Sequence, residues 1–101
     1  MSPQAFATLP LHDAVLGQIE YLWKQKLCRI QLSAFSEAGK NAKPHQLEFR
    51  GVSNVSFSHD ESWGPSSSVL SGSYTEGSYH LQMQSGDQIE VTASAFSFVA
   101  I

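Results

Sequence analysis

The second half of the chain alternates apolar and polar residues in short segments that are separated by serine and glycine. Residues 79–84 and 88–93 both repeat with a period of two, which is typical of a strand with one buried face and one solvated face. The Ser-Gly-Asp sequence at 85–87 favours a tight turn, so the two segments predict a β-hairpin. Residues 18–24 and 27–35 alternate in the same way and predict a second hairpin.

Three further segments alternate more weakly, and these predict strands at 46–50, 54–58 and 69–74. The polar stretch 37–44 contains Gly, Asn and Pro, which is typical of a loop. Gly51 is expected to bend the chain between two of the strands.

The N-terminal part has a different character. Residues 11–16 predict a single helical turn, in which the carboxylate of Asp13 would cap the free N–H groups. Residues 1–10 are expected to form an arm, and residues 11–101 a single β domain. The sequence therefore predicts a mainly β protein, an antiparallel β-sandwich or partly open barrel of about seven or eight strands with a short N-terminal helical turn.

The alternation also selects the residues that are expected to face the interior. In the second strand, Cys28, Ile30 and Leu32 share one face and Arg29 points the other way. The predicted core consists of Ile19, Tyr21, Trp23, Ile30, Leu32, Leu47, Phe49, Val55, Phe57, Leu81, Met83, Ile89, Val91 and Phe98.

The C-terminal segment departs from simple alternation. Its apolar residues lie on odd positions as far as Ala95, whereas Phe96 and Phe98 lie on even positions. Either a bulge near 94–96 switches the phase, or this end of the chain is buried on both faces. Burial on both faces needs cover from the N-terminal arm or from a second subunit, so a homodimer is one of the expected assemblies.

Length and composition describe a single folded domain. The chain has 101 residues, of which 42% are hydrophobic and 15% are charged. No apolar run approaches the roughly 20 residues that a membrane span needs, and the first four residues lack the features of a secretory signal. Cys28 is the only cysteine. An internal disulfide is therefore excluded, and a reducing cytoplasm is the simplest expected location.

The formal charge of −3 is distributed unevenly. All six Lys and Arg residues precede position 51, and the remaining half has five acids and no Lys or Arg. Nucleic-acid binding is not expected, because a phosphate backbone requires a continuous basic face. Two alternatives remain: neighbouring strands mix the two halves so that no patch results, or the second half forms an acidic face that suits a basic partner.

Three histidines are weak candidates for metal ligands. His12 and His59 each precede an aspartate, and His80 could supply a further nitrogen. Adjacent residues on a strand point to opposite faces, so neither His-Asp pair is expected to converge without a kink. The alternative interpretation is that Asp13 and Asp60 cap local turns beside half-exposed histidines.

Motifs for nucleophilic catalysis and cofactor binding are missing. The chain has no Gly-x-Ser-x-Gly elbow, phosphate-binding loop or dinucleotide fingerprint, so no cofactor is predicted. Cys28 is expected to face inward, where a thiol behaves as a small apolar group.

Trp63, Gly64 and Pro65 form the most distinctive local feature, a sharp turn within an irregular acidic segment. The indole either covers an open end of the core or stands in solvent. An exposed Trp63 beside Asp60 and Glu61 would anchor a basic or aromatic ligand.

Three short sequences carry a family resemblance: Leu-His-Asp-Ala at 11–14, Glu-Ser-Trp-Gly-Pro-Ser at 61–66 and Met-Gln-Ser-Gly-Asp at 83–87. Together they resemble a small bacterial family of β domains that has no established activity. The likeness extends from about residue 11 to residue 98. It implies a compact β domain and supplies no catalytic residues. The general layout also looks like some immunity proteins of bacterial toxin systems, although fold does not determine function.

The leading functional hypothesis is a non-enzymatic protein-interaction module. Its expected partner contacts are His59, Asp60, Glu61 and Trp63. The alternative is a small-molecule-binding domain with a cleft between the sheets or under the same loop. A metal-dependent enzyme that uses the histidines is the third hypothesis.

Overall fold

Eight strands form two four-stranded antiparallel sheets in the computed structural model, which describes residues 2–35, 37 and 39–101. The predicted antiparallel sandwich is confirmed. The elements are a 3-10 helix at Pro3–Thr8, β1 Val15–Leu22, β2 Leu27–Ala34, β3 Lys43–Arg50, β4 Asn54–Phe57, β5 Val69–Thr75, β6 Ser78–Met83, β7 Gln88–Thr92 and β8 Ala95–Ala100. Met1 in the predicted arm and Ala38 in the predicted loop lie outside the described residues. Within the described ranges, no helix has the length and apolar character needed to cross a bilayer.

The first sheet has the strand order β1-β2-β3-β8, and the second has the order β4-β7-β6-β5. The chain crosses between the sheets twice, after β3 and after β7. The two crossings lie side by side, since the Ser94 N–H donates to the Arg50 carbonyl at 2.9 Å. Gly51 has a φ of 65°, and a Cβ there would lie 2.5 Å from the Ser94 Oγ. Glycine is therefore required at this bend, as the sequence predicts.

The second crossing explains the change of phase near the C-terminus. The predicted single segment is two strands, because β7 ends at Thr92 in one sheet and β8 begins at Ala95 in the other. Each strand alternates regularly by itself: Phe96 is buried and Val99 is exposed. Both predicted explanations, a bulge within one strand and burial on both faces, are therefore wrong.

An aromatic cluster occupies the centre of the core. The ring centroid of Phe6 lies 6.0 Å from that of Phe49, 5.1 Å from that of Tyr79 and 5.3 Å from that of Phe96. Phe6 comes from the 3-10 helix and is fully buried. The segment that was expected to be an arm thus contributes a central core residue.

The N-terminal helical turn is displaced from its predicted position. It covers Pro3–Thr8, where Pro3 suits the first turn because its φ is already fixed. The predicted turn at 11–16 is wrong. Asp13 has a φ of 65°, and its N–H donates to the Val69 carbonyl at 2.9 Å. This bend directs the chain into β1.

The core differs from the prediction mainly at β1, β4 and the turn after β1. Tyr21, Trp23 and Phe57 were expected inside and are exposed, with Trp23 at 82% of its full area. Tyr21 lies on β1 and Phe57 lies on β4. β1 and β4 are edge strands, so little opposing structure covers their inward faces. Trp23 lies in the turn after β1. The prediction also placed Ile19, Val55 and Phe98 in the core, and these are only partly buried. The buried residues that the prediction missed include Phe6, Leu11, Ala14, Val52, Val69, Tyr79 and Phe96.

The basic residues, which all lie in the first half of the sequence, belong to the first sheet and its connections. On the outer face of the first sheet, Arg29 approaches Glu20 at 3.7 Å and Glu48 at 3.1 Å, and Arg50 approaches Glu48 at 3.3 Å. The second sheet and its connections contain no Lys or Arg. β8 of the second half pairs with β3 of the first, but β8 has no charged residue, so strand pairing does not place the basic side chains of the first half beside the acids of the second.

Candidate functional site

Asp87 anchors the loop that contains the predicted partner-binding residues. This loop, residues 58–68, connects β4 to β5. The Oδ1 atom of Asp87 accepts hydrogen bonds from the Ser58 hydroxyl at 2.9 Å and from the Asp60 N–H at 2.7 Å. Its Oδ2 atom accepts from the Ser85 hydroxyl at 2.7 Å and from the Glu61 N–H at 3.0 Å. The buried carboxylate therefore fixes the backbone at the start of the loop.

These donors also keep Asp87 ionised. The Ser85 hydroxyl and the Asp60 N–H lower the pKa of the Asp87 carboxyl most strongly, and the Ser58 and Glu61 donors lower it further. Burial acts in the opposite direction, because it disfavours the charged form. Hydrogen bonding prevails, so the pKa of Asp87 lies far below its ordinary value.

The turn between β6 and β7 also positions Trp63. The backbone N–H of Trp63 donates to the Ser85 carbonyl of that turn at 3.0 Å. Within the loop, the Gly64 N–H donates to the Glu61 carbonyl at 2.9 Å. Gly86 has a φ of 93°, and a Cβ there would lie 2.9 Å from the Trp63 Cδ2. The indole thus packs over a residue that has no side chain, yet 68% of Trp63 is exposed. Trp63 is held in place and remains accessible.

The other three predicted contact residues shortly precede Trp63 in the chain. His59 and Asp60 are exposed, and Glu61 is half-buried with a φ of 52°, in the left-handed region. The His59 Nε2 lies 3.9 Å from the Glu61 Oε2. The loop thus combines an exposed and a half-buried acidic side chain with an exposed aromatic ring on an anchored backbone.

Sequence reasoning missed the role of Asp87, which it assigned only to a hairpin turn. That turn is confirmed between β6 and β7. Three of the four donors to the Asp87 carboxylate lie 26 to 29 positions earlier in the chain. The sequence feature that points to this role is the presence of Ser85 and Asp87 in one turn, because a serine hydroxyl and an aspartate two residues apart can form a side-chain hydrogen bond.

The three histidines have separate surroundings. The His12 Nδ1 lies 2.9 Å from the Leu70 carbonyl oxygen, and the His80 Nδ1 lies 2.7 Å from the Gln88 Nε2. His59 belongs to the loop described above. In the part of the chain that the structure describes, no three His, Cys, Asp or Glu side chains form a set that could hold a metal ion.

One of the two His-Asp pairs converges, and it does so at a bend of the kind that the prediction required. The His12 Nε2 lies 3.5 Å from the Asp13 Oδ2. Convergence is allowed because Asp13 lies in a bend with positive φ and not in a strand. The other oxygen of Asp13 accepts from the Gln84 Nε2 at 2.7 Å, so this carboxylate joins the N-terminal bend to the end of β6.

Cys28 is confirmed as a buried residue of β2. Burial raises the pKa of its thiol to about 11, so the side chain is neutral near pH 7. A neutral buried thiol is a poor nucleophile and packs as an apolar group.

A small cavity lies beneath the loop, between β1 and the second sheet. Its volume is about 120 Å³. Leu16, Ile19 and Met83 contribute apolar walls, and Ser67 and His59 contribute polar ones. A cavity thus lies under the loop, where the alternative hypothesis placed a cleft, but its volume is below the roughly 300–1,000 Å³ of typical ligand pockets.

Comparisons with known proteins provide no family. No protein-family model, curated protein or solved structure matches the chain. The resemblance to a small bacterial β-domain family therefore stays a prediction, as does the likeness to immunity proteins.

Proposed function

We propose that this protein is a non-enzymatic interaction module that binds a protein partner through residues 59–63. The observation that carries the proposal is the exposed indole of Trp63 on a backbone that Asp87 fixes by hydrogen bonds. Tryptophan is enriched among the residues that dominate binding energy. A loop that is already ordered before binding loses little entropy when the complex forms.

The charge around the loop supports a basic partner. Asp60 is exposed, and the second sheet and its connections supply no Lys or Arg to neutralise it. Among the described residues, Glu61 lies 3.9 Å from a nitrogen of His59 and Glu90 lies 3.7 Å from a nitrogen of His80, and neither glutamate contacts a Lys or Arg. An arginine-rich or lysine-rich surface would complement these carboxylates, and a cation could also stack on the indole.

A capture experiment with two tryptophan variants tests the use of Trp63. The immobilised protein, Trp63→Ala and Trp23→Ala are each exposed to a lysate of the cells that encode the chain. Trp23 is the matched control, because it is 82% exposed and lies on the β1–β2 turn. A central anchor contributes about 2 kcal/mol or more, so Trp63→Ala should weaken binding of the captured protein roughly 30-fold. Equal binding by all three proteins would exclude Trp63 as the anchor.

Charge reversal tests the chemistry of the partner. Glu61→Lys should slow association with the captured protein and reduce its dependence on salt, because electrostatic steering is lost. Glu76→Lys is the matched control: Glu76 also has a positive φ, 46° against 52° for Glu61, and it lies on the β5–β6 turn. If the captured protein associates with Glu61→Lys as fast as with the unchanged protein, it does not recognise the acidic side chains of this loop, and the prediction is wrong.

The cavity beneath the loop favours a second candidate function, binding of a small amphipathic molecule. Its volume of about 120 Å³ restricts the ligand to a few heavy atoms. A thermal-shift screen of small acids, alcohols and aromatic compounds tests this candidate. A ligand at 100 times its Kd stabilises the native state by about 2.7 kcal/mol and so raises the melting temperature. A screen without any stabilising compound argues against this function.

A further inference from the structure

The two sheets have four edge strands, β1 and β8 in the first sheet and β4 and β5 in the second. An edge strand presents unpaired N–H and C=O groups that can pair with another chain. Proteins protect such edges by short length, charge, proline, bulges or a covering segment. The four edges of this protein differ in these protections.

Three of the edges are protected. β1 has an irregular register between Leu16 and Gln18, and at its start the Leu16 N–H donates to the Ser67 carbonyl at 2.8 Å. β4 has only four residues. β5 has an irregular register between Val69 and Ser71, and the N-terminal 3-10 helix packs beside it.

β8 lacks each of these protections. Its six residues, Ala-Phe-Ser-Phe-Val-Ala, include no charged residue, glycine or proline. Its register with β3 is regular from Ala95 to Ala100. No backbone hydrogen bond within the described residues joins its outer edge to another segment. Beside this edge, Val99 is 49% exposed and Ile101 is 60% exposed.

We propose that a second copy of this chain occupies the edge, with β8 pairing antiparallel to β8 of the other copy. A twofold axis places the same strand against itself in opposite directions, which is antiparallel geometry. An uncharged strand can pair with itself without repulsion, whereas a charged edge would oppose its own copy. The two first sheets then form one continuous eight-stranded sheet. This proposal is independent of the proposed function, because β8 contains no residue of the 58–68 loop.

The length of β8 sets the expected strength of the dimer. Six residues extend for about 20 Å, so one strand pair buries less than the roughly 800 Å² per partner of stable complexes. The dimer should therefore be weak and depend on concentration.

Sedimentation equilibrium tests the proposal, between about 1 μM and about 1 mM, the range in which a weak dimer dissociates. The unchanged protein should convert reversibly from monomer to dimer. Val99→Lys should raise the dimer Kd by at least tenfold, because lysine beside an edge opposes pairing. Val15→Lys is the matched control, since Val15 is 46% exposed on β1, the other edge of the same sheet, and it should leave the Kd unchanged.

A second variant keeps the test valid if Val99→Lys fails to fold. The Ile101 N–H donates to the Pro44 carbonyl at 3.1 Å, so the alternation of an antiparallel ladder directs the N–H of Ala100 outward. Ala100→Pro removes that outward donor and should likewise raise the dimer Kd by at least about tenfold. A protein that stays monomeric at the highest concentration overturns the proposal. The proposal is also overturned if Val99→Lys or Ala100→Pro folds and still dimerises with an unchanged Kd. It is likewise overturned if Val15→Lys dissociates the dimer.

Discussion

Replacing Phe6 by alanine should severely destabilise the domain, although the residue lies only six positions from the start of the chain. Its side chain is fully buried and its ring contacts Phe49, Tyr79 and Phe96. Truncation of a core Phe to Ala costs about 3–5 kcal/mol, and a domain of this size is stable by about 5–15 kcal/mol. The substitution should therefore remove at least about a fifth of the free energy of unfolding.

Urea unfolding followed by circular dichroism measures this loss as a decrease in the midpoint, provided that the m-value is unchanged. Phe35→Ala is the matched control, because Phe35 is half-exposed just after β2. The control should cost less than about 1.5 kcal/mol. A loss below about 1 kcal/mol for Phe6→Ala, or equal losses for the two variants, would refute a central position for the N-terminal helix.

Three further predictions concern Tyr79, Asp87 and Gly86. The Oη of the buried Tyr79 has no hydrogen-bond partner among the described residues, so Tyr79→Phe should raise the free energy of urea unfolding by about 1 kcal/mol. The lowered pKa of Asp87 stabilises the fold fully above the unfolded-state value of about 3.9, and this stability is lost as pH falls toward the folded-state pKa. Acid titration should therefore show a steeper loss of stability below about pH 4 than in Asp87→Asn. Gly86→Ala places a Cβ against Trp63 at a φ of 93°, so it should shift the indole fluorescence in the folded protein, and an unchanged spectrum would contradict the packing.

The alternation of apolar and polar residues correctly indicated which side chains share one face of a strand. It was less successful at indicating which of those faces are buried. In β2, Cys28, Ile30 and Leu32 are buried as predicted, because β1 and β3 flank this strand and the second sheet covers it. The same pattern placed Tyr21 and Phe57 inside, and both are exposed because β1 and β4 are edges. A period of two shows which residues lie together, but coverage depends on strand order.

The interactions that sequence reasoning missed join distant parts of the chain. Phe6 has no neighbour that marks it as a core residue, and its aromatic contacts lie more than 40 positions away. The anchoring role of Asp87 depends on donors at 58–61, before β5 and β6. Trp63 was singled out because the neighbouring Gly64 and Pro65 indicated a turn, and its side chain is exposed in the structure.

Hydrogen exchange at the Asp60 and Glu61 amides tests most directly whether Asp87 fixes the 58–68 loop. Both N–H groups donate to the buried carboxylate, so exchange should be slow in the unchanged protein although the loop lies at the surface. In Asp87→Asn both amides should exchange much faster, while amides in the centre of β2 stay protected. Fast exchange at both positions in the unchanged protein, or equal rates in the two proteins, would contradict an ordered loop held by Asp87.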